Sequence, residues 1–376
     1  MKRILLVTSI CFFTHGLAAA ESPPPRRASE PAIISPEVHA DRTVTFRARA
    51  PGATNLTVSG EWPNGTTQMN RDDRGLWTVT VGPLEPDLYG YSFIVDGFRT
   101  LDPSNRWLKP MRSPTTSVLD VPGNQPILHD FQPVPHGTVS LHEYESKSLG
   151  RLRSLRVYTP PGYSQRSRVK YPVLYLFHGS GDNEATWTAL GRAHLISDNL
   201  LAQGKVKPMI IVMTDGHASS AQPAGTNVDA RVRNTEAFEQ DLLEDVMPMV
   251  EINYRVKRDA ANRGIVGLSM GGGQSLSIGL KHPELFAWVG GMSSSVYIPE
   301  NTLASILNNP TVANKHLRLL WFACGRTDFL LKNNQEFDRL LNTKGLVHEY
   351  HETEGNHSWP VWRRYLADFM PRLFIK

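Results

Sequence analysis

The chain has 376 residues, of which 40% are hydrophobic and 20% are charged, and its formal net charge is +4. This length allows two folded domains with cores of ordinary size, so folding needs neither a metal ion nor disulfide bonds. The weak positive charge gives no support for a nucleic acid or an anionic lipid surface as a partner.

Residues 1–20 have the pattern of a cleaved signal peptide. Lys2 and Arg3 precede the apolar run ILLVTSICFF, and small residues follow as far as Ala20. The run is too short to span a bilayer comfortably. We therefore expect a secreted or periplasmic protein with no membrane contact after cleavage, which lowers the net charge from +4 by two, to +2. Cleavage leaves Cys324, whose apolar neighbours indicate an inert thiol in the core.

The residues that follow are predicted to form a small all-β domain. Residues 21–35 are a proline-rich lead-in that we expect to be disordered. Alternating apolar residues in segments such as RTVTFRARA and GLWTVTVG indicate short strands over residues 36–121. Turn signals recur about every ten residues, which is typical of an antiparallel sandwich. Residues 122–137 contain four prolines and are interpreted as a linker.

From residue 138 to residue 376 the pattern changes to continuous apolar runs separated by helical stretches. The runs YPVLYLFHG, MIIVMTDG, RGIVG, FAWVGGM and LRLLWFACG indicate strands that are covered on both faces. The stretch between Glu236 and Tyr254 has apolar residues near helical spacing. Buried strands that alternate with helices predict an α/β fold with a mostly parallel, doubly wound sheet.

The stretch GLSMG, residues 267–271, places Ser269 between a predicted strand and a predicted helix. In this context the G-x-S-x-G pattern indicates a nucleophilic serine on a sharp turn, with its hydroxyl at a helix N-terminus that favours negative charge. Taken alone, the pattern also fits a glycine-rich helix start without chemistry. A P-loop is excluded, because no Lys-Ser or Lys-Thr follows the glycines.

Two further polar residues follow strands of the same predicted sheet. Asp328 lies just past the strand LRLLWFACG, and His357 follows the predicted strand HEYHE. Ligands bind beyond the carboxyl ends of the strands in such sheets, and the order Ser, Asp, His is that of α/β-hydrolases. Each residue alone could be a cap or a surface side chain. Together they predict a triad of Ser269, Asp328 and His357.

The loop FHGSGDNEATW, residues 177–187, follows the first of these long strands. Its position predicts that the backbone amides of Ser180 and Met270 form an oxyanion hole. His178 is interpreted as a structural residue whose ring holds the loop by hydrogen bonds. No metal and no cofactor is predicted, because the sequence contains no HExxH, C-x-x-C or EF-hand spacing.

These motifs carry a family resemblance. Residues from about 136 onward resemble carbohydrate esterase family one, which includes feruloyl and acetyl xylan esterases, through VYTPPGY, YPVLYLFHGSGDNEATW, VGLSMGG and ETEGNHSWPVWR. Residues 42–121 resemble the Ig-like carbohydrate-binding module of glycogen-branching enzymes through GLWTVTVGPLEPDLYGYSFIVDG and LDPSN. The resemblance implies an α/β-hydrolase preceded by an Ig-like sandwich, with Ser269 as nucleophile, His357 as base and Asp328 orienting it. Asn356 departs from the usual glycine before the histidine and could shift the histidine loop.

The resemblance also implies a substrate class: ester-bearing plant polysaccharides or oligosaccharides, with feruloyl esters of arabinoxylan as the leading candidate. Acetyl xylan esterase is the nearest alternative. An enterochelin-type siderophore esterase is less favoured, because a tri-anionic substrate favours a more basic site. A carbohydrate-binding protein with a silent hydrolase fold remains open as a different class.

Aromatic residues supply the candidates for substrate contact. Trp187 and Trp359 are predicted to line an apolar acyl pocket, with packing between loop and helix as the alternative. In the N-terminal module, glycan contact and a packing role that completes the active-site cleft both remain open. The aromatic residues considered for glycan contact are Trp62, Trp77, Tyr89, Tyr91 and Trp107, with Trp77 and Tyr91 expected in the core.

Overall fold

The computed structural model describes residues 32–219, 228–297 and 303–375. The predicted signal peptide and most of the proline-rich lead-in lie outside these ranges. From Ile34 onward the chain forms one compact unit. No helix within the described ranges is long and apolar enough to cross a membrane.

The N-terminal part of this unit is a sandwich of two antiparallel sheets, as predicted. One sheet has the order β1-β2-β6-β5, and the other has the order β4-β3-β7-β8 with β9 also paired to β7. Alternation along the strands directs apolar side chains from both sheets into one core, where the rings of Phe46 and Tyr91 lie 4.8 Å apart. The strands are β1 Glu37–Val38, β2 Val44–Arg49, β3 Leu56–Gly60, β4 Thr66–Gln68, β5 Asn70–Arg71, β6 Leu76–Val81, β7 Asp87–Val95, β8 Phe98–Thr100 and β9 Ser117–Val121.

Most of the aromatic residues considered for glycan contact belong to this core. Trp62, Trp77, Tyr89 and Tyr91 are all buried. Trp107 is partly buried, and the Arg192 guanidinium lies 5.2 Å from the centre of its ring. The four buried rings therefore present no open face of the kind that stacks on a sugar, and Arg192 covers one face of Trp107.

The second part is built on an eight-stranded sheet in the order β10-β11-β13-β12-β14-β15-β16-β17. The strands from β13 to β17 in this order are parallel, whereas β10 and β11 form an antiparallel pair that joins β13 at the edge. The predicted α/β fold with a mostly parallel sheet is thus confirmed. The strands are β10 Thr138–Ser146, β11 Arg151–Thr159, β12 Val173–Phe177, β13 Ile210–Thr214, β14 Arg263–Leu268, β15 Trp288–Met292, β16 Leu319–Gly325 and β17 Glu349–Thr353.

Helices cover both faces of this sheet, which explains the uninterrupted apolar runs. Along β12, Tyr175 and Phe177 join one core cluster, while Leu174 and Leu176 join the cluster on the opposite face. A π-helical turn, Asp241–Val246, connects α3 to α4 within the stretch predicted to be one helix. The helices are α1 Thr186–Ala189, α2 Ala193–Ala202, α3 Val228–Gln240, α4 Met247–Asn253, α5 Met270–Lys281, α6 Ala304–Leu307, α7 Pro310–His316, α8 Leu331–Lys344 and α9 Trp359–Phe369, with 3-10 turns at Ala260–Asn262 and Met370–Arg372.

Candidate active site

Ser269 occupies the sharp turn between β14 and α5. Its backbone has φ 52° and ψ −114°, a conformation that side chains other than glycine rarely adopt. The flanking glycines are required by space: a Cβ on Gly267 would lie 2.4 Å from the Gly271 carbonyl oxygen, and a Cβ on Gly271 would lie 2.4 Å from that of His178. The sharp turn at Ser269 therefore requires glycine at positions 267 and 271.

A hydrogen-bonded chain leads from Ser269 through His357 to Asp328. The Ser269 Oγ lies 3.0 Å from His357 Nε2. On the other side of the ring, His357 Nδ1 lies 2.9 Å from Asp328 Oδ2 and 3.0 Å from Oδ1. Because Asp328 accepts from Nδ1–H, the Nε2 lone pair is directed at the serine hydroxyl.

The surroundings of Asp328 favour its ionised form. Burial alone would raise the pKa of this carboxyl, but the hydrogen bond and charge of His357 and the Leu330 amide together hold the pKa below its usual value. An ionised Asp328 can accept from Nδ1–H and so favours the tautomer of His357 whose Nε2 carries no proton.

Asn356 does not take a left-handed backbone conformation in the histidine loop. The positive φ of this loop, 121°, lies at Gly355, and Asn356 is not among the non-glycine residues with positive φ in the described ranges. His357 is within hydrogen-bonding distance of both partners with asparagine at this position. We therefore find no displacement of His357 away from its partners.

The predicted oxyanion loop lies directly beside Ser269. A Cβ on Gly179 would lie 3.4 Å from the Ser269 Cβ, so Ser180 follows a residue in close contact with Ser269. Met270 is the first residue of α5, a position whose amide has no acceptor inside its own helix. Within the part of the chain that the structure describes, neither the Ser180 nor the Met270 amide donates to a protein acceptor.

Two buried histidines support this loop from behind. His178 Nδ1 lies 2.8 Å from the Gly179 carbonyl oxygen, and His178 Nε2 accepts from the Gly216 amide, which confirms its interpretation as a structural residue. His217 Nε2 accepts from the Gly181 amide at 3.0 Å. Burial, and next the neighbouring His178, lower the pKa of His217 to about 4, so its ring stays neutral and able to accept at neutral pH.

Trp187 and Trp359 do not reach the surface of the site. Their exposed fractions are 1% and 0%, and their rings pack edge to face, 5.0 Å apart, in the core beneath the histidine loop. The Trp187 indole also donates to the Phe177 carbonyl. The prediction that they line an acyl pocket is corrected accordingly. Trp187 lies in the first turn of α1 and Trp359 is the first residue of α9, and both side chains point into the core, so the alternative of packing is the one observed.

Phe329 and Glu61 belong to the surroundings of the site but are absent from the sequence-based candidates. Phe329 is 75% exposed, and its ring lies 4.4 Å from the His357 ring. Its position directly after Asp328 could have revealed it. Glu61 comes from the β-sandwich and contacts the backbone of Trp359. No sequence signal links two residues separated by 298 positions.

Cys324 and the metal-ligating residue types were the remaining candidates for chemistry in the described ranges. Cys324 is buried, and burial together with the nearby Asp328 raises the pKa of its thiol to about 12, as fits an inert core residue. In the described ranges, no group of three or more His, Cys, Asp or Glu side chains could hold a metal ion.

Several proteins with similar sequences carry the name esterase. The family model described as "Putative esterase" matches residues 146–373. An endo-1,4-beta-xylanase/feruloyl esterase of Xylanibacter ruminicola is 31% identical over 368 residues, which cover 93% of this chain and 47% of that protein. An esterase of Mycobacterium tuberculosis is 27% identical over 57% of this chain and 55% of its own length. The chain thus spans about half the length of these two relatives.

Solved structures give the same fold. A ferulic acid esterase matches with a TM-score of 0.55 and 25% identity, covering 64% of this chain and 99% of that one. The enterobactin esterase of Shigella flexneri matches with a TM-score of 0.64 over 88% of this chain and 92% of that one. Its identity is 19%, so this second likeness concerns the fold alone.

Proposed function

We propose a function for this chain from one premise: it belongs to the esterase family whose model matches residues 146–373. The proposed activity is hydrolysis of carboxylic esters on plant cell-wall polysaccharide, with feruloyl esters of arabinoxylan as the leading substrate. The observation that carries the proposal is the hydrogen-bonded chain from Ser269 through His357 to Asp328 on a strained turn. The name of the Xylanibacter ruminicola relative supports the choice of substrate.

The reaction follows from the geometry of these groups. His357 Nε2 takes the Ser269 proton as Oγ attacks the ester carbonyl, and the amides of Ser180 and Met270 stabilise the oxyanion. His357 then gives its proton to the leaving alcohol oxygen, which leaves the acyl group on Ser269. His357 then takes a proton from water, which attacks the acyl-enzyme carbonyl. The proton passes from His357 to Ser269 Oγ as the acid leaves, and the serine is restored.

The domain boundaries and the cellular location complete the proposal. We assign residues 1–20 to an export signal, residues 21–35 to a lead-in, residues 36–121 to the sandwich, residues 122–137 to a linker and residues 138–376 to the esterase domain. Export would bring the enzyme to polymeric substrates that cannot enter a cell. Determination of the N-terminal residue of the exported protein tests the first boundary.

The choice between feruloyl and acetyl esters is tested by comparing turnover of methyl ferulate with that of acetylated xylan. We expect rapid ferulate release and little acetate release. The opposite ratio would replace the feruloyl assignment by acetyl xylan esterase activity and keep the serine mechanism. Hydrolysis of neither ester by the wild-type protein would contradict the proposed function.

A further inference from the structure

The β-sandwich contacts both loops that carry the candidate catalytic groups. Its residue Glu61, directly after β3, reaches the loop of His357. A second segment, residues 107–112, runs along the loop of Ser180. Both contacts lie within the single compact unit that begins at Ile34.

Glu61 accepts a hydrogen bond from the first residue of α9. Its Oε1 lies 3.0 Å from the Trp359 amide, two residues after His357. Amides at the start of a helix have no acceptor in the helix itself, and a carboxylate there is favoured by the helix dipole. The Ser358 side chain at the N-cap position makes no capping hydrogen bond, so the sandwich supplies this acceptor.

The sandwich fixes Glu61 rigidly. Oε2 accepts from the Gly90 amide at 2.6 Å, and the Glu61 amide donates to the Gly90 carbonyl at 3.1 Å. Burial raises the pKa of the Glu61 carboxyl above its usual value, and the charge of Lys109 offsets part of this rise. Through its two hydrogen bonds, the Glu61 carboxyl group joins β7 of the sandwich to the start of α9.

The 107–112 segment holds the second loop. The Arg112 amide donates to the Gly181 carbonyl at 3.0 Å, and the Thr186 hydroxyl donates to the Pro110 carbonyl at 2.8 Å. Lys109 Nζ lies 2.7 Å from the buried Asp182 carboxylate and 5.7 Å from the centre of the Trp359 ring. Lys109 thus touches both loops.

We propose that Glu61 is a positioning residue for His357, and that the sandwich is a working part of the esterase site. This inference rests on the proposed function. It assigns the sandwich a role in the chemical step, because a displacement of about 1 Å in a catalytic group can cost up to a hundredfold in rate.

The test is steady-state kinetics of Glu61→Ala and Glu61→Gln in the full chain. Glu61→Ala is expected to lower kcat about tenfold or more while KM changes less than about twofold. Glu61→Gln keeps one oxygen that can accept from the Trp359 amide, and it is expected to recover part of the loss. Glu85→Ala is the matched control, because the Glu85 side chain is 88% exposed.

Thermal unfolding of each variant separates positioning from plain stability. A lower melting temperature for Glu61→Ala with wild-type kcat per folded molecule would overturn the inference, as would a change confined to KM. A wild-type protein without esterase activity would contradict the proposed function and this inference together.

An independent observation concerns the exposed ring of Phe329. During acylation His357 must give its proton to the leaving oxygen, so the alcohol part of the substrate lies against the imidazole. Trp362 covers the imidazole from within the core, at 4.9 Å, whereas Phe329 packs against it at 4.4 Å with most of its ring open to solvent.

The geometry points to Phe329 as the binding surface for the sugar that carries the ester. The apolar C–H face of a sugar ring can cover the exposed aromatic face and remove it from water. The ring thus contributes to recognition of the alcohol rather than of the acid. This assignment also rests on the proposed function. The role of Phe329 does not depend on whether the acyl group is feruloyl or acetyl, because a sugar is the alcohol in both esters.

Phe329→Ala separates the two sides of the ester. We expect kcat/KM to fall about tenfold for a feruloylated arabinoxylan oligosaccharide and less than twofold for methyl ferulate. Phe329→Tyr is expected to restore turnover of the oligosaccharide. Phe98→Ala on the sandwich, where the side chain is 80% exposed, is the matched control. Equal losses on both substrates, or no loss on the oligosaccharide, would overturn the assignment, whereas a wild-type protein that cleaves neither would overturn the proposed function with it.

Discussion

Ser269→Ala is expected to remove nearly all ester hydrolysis and to leave the fold intact. Loss of the nucleophile from a serine triad lowers kcat by about 10⁶-fold in a well-studied case, because the triad acts as a unit. The Cβ that alanine needs is already present in the strained turn, so the backbone at φ 52° meets no new contact. The hydroxyl contributes one hydrogen bond, to a partly buried partner, and its loss costs about 1 kcal/mol of stability.

The control for this change is Ser104→Ala, the same substitution in an exposed turn of the sandwich. Hydrolysis of the preferred ester and thermal unfolding are measured on all three proteins. Wild-type kcat in Ser269→Ala would exclude Ser269 as the nucleophile, whatever its geometry. If Ser269→Ala unfolds, covalent labelling of the folded wild-type protein decides whether the Ser269 hydroxyl is the nucleophile.

Gly271→Ala is expected to disrupt the site by forcing two elements apart. The added Cβ would lie 2.4 Å from the His178 carbonyl oxygen and 2.7 Å from the Phe177 Cβ. The Gly271 amide also donates to that carbonyl at 3.1 Å, so the turn and the loop of Ser180 are in contact at this point. Overpacking of this kind lowers the free energy of unfolding by about 3 kcal/mol or more. To remove the clash, the backbone at His178 must move, and with it the loop of Ser180 moves away from Ser269.

Gly52→Ala is the matched control, because a Cβ there meets nothing within 4 Å. Urea unfolding gives the stability difference between the two variants, and ester hydrolysis gives the effect on the site. We expect Gly52→Ala to behave as the wild type. A Gly271→Ala protein with wild-type stability and activity would show that the close approach at the turn is not needed.

The part of the site that could be predicted from the sequence consists of residues that directly follow strands of the sheet. Ser269 and Asp328 each follow a buried apolar run, and His357 follows the half-buried edge strand β17. Parallel strands bring such positions to one edge of the sheet. The structure places them within hydrogen-bonding distance of one another. The family resemblance drawn from the motifs around these residues is confirmed by the match to the esterase family model.

The residues that could not be predicted depend on contacts between distant parts of the chain. Glu61 meets Trp359 only after the sandwich has packed on the esterase sheet. The positions of Trp187 and Trp359 beside the predicted site motifs favour a pocket, but the direction in which a helix presents each ring decides whether that ring faces solvent or core. Both rings face the core, whereas Phe329 faces solvent.

The antiparallel edge of the sheet also escapes the sequence pattern. Exposed residues recur along β10, among them Leu141, Glu143 and Glu145, so this strand lacks the continuous apolar run of the central strands. The order β13-β12-β14 requires a crossover that strand patterns do not encode. The π-helical turn between α3 and α4 likewise has the mixed apolar and acidic composition of an ordinary amphipathic helix, so the sequence does not mark it.

Labelling with an alkyl fluorophosphonate tests the nucleophile most directly, since the reagent needs no knowledge of the natural acyl group. The activated serine oxygen attacks phosphorus and fluoride leaves, so one phosphonyl group remains on the protein. We expect one equivalent, mapped by peptide mass spectrometry to Ser269, with activity lost in proportion and no label on Ser269→Ala. Label at another residue, or full labelling of Ser269 with activity retained, would contradict Ser269 as the nucleophile.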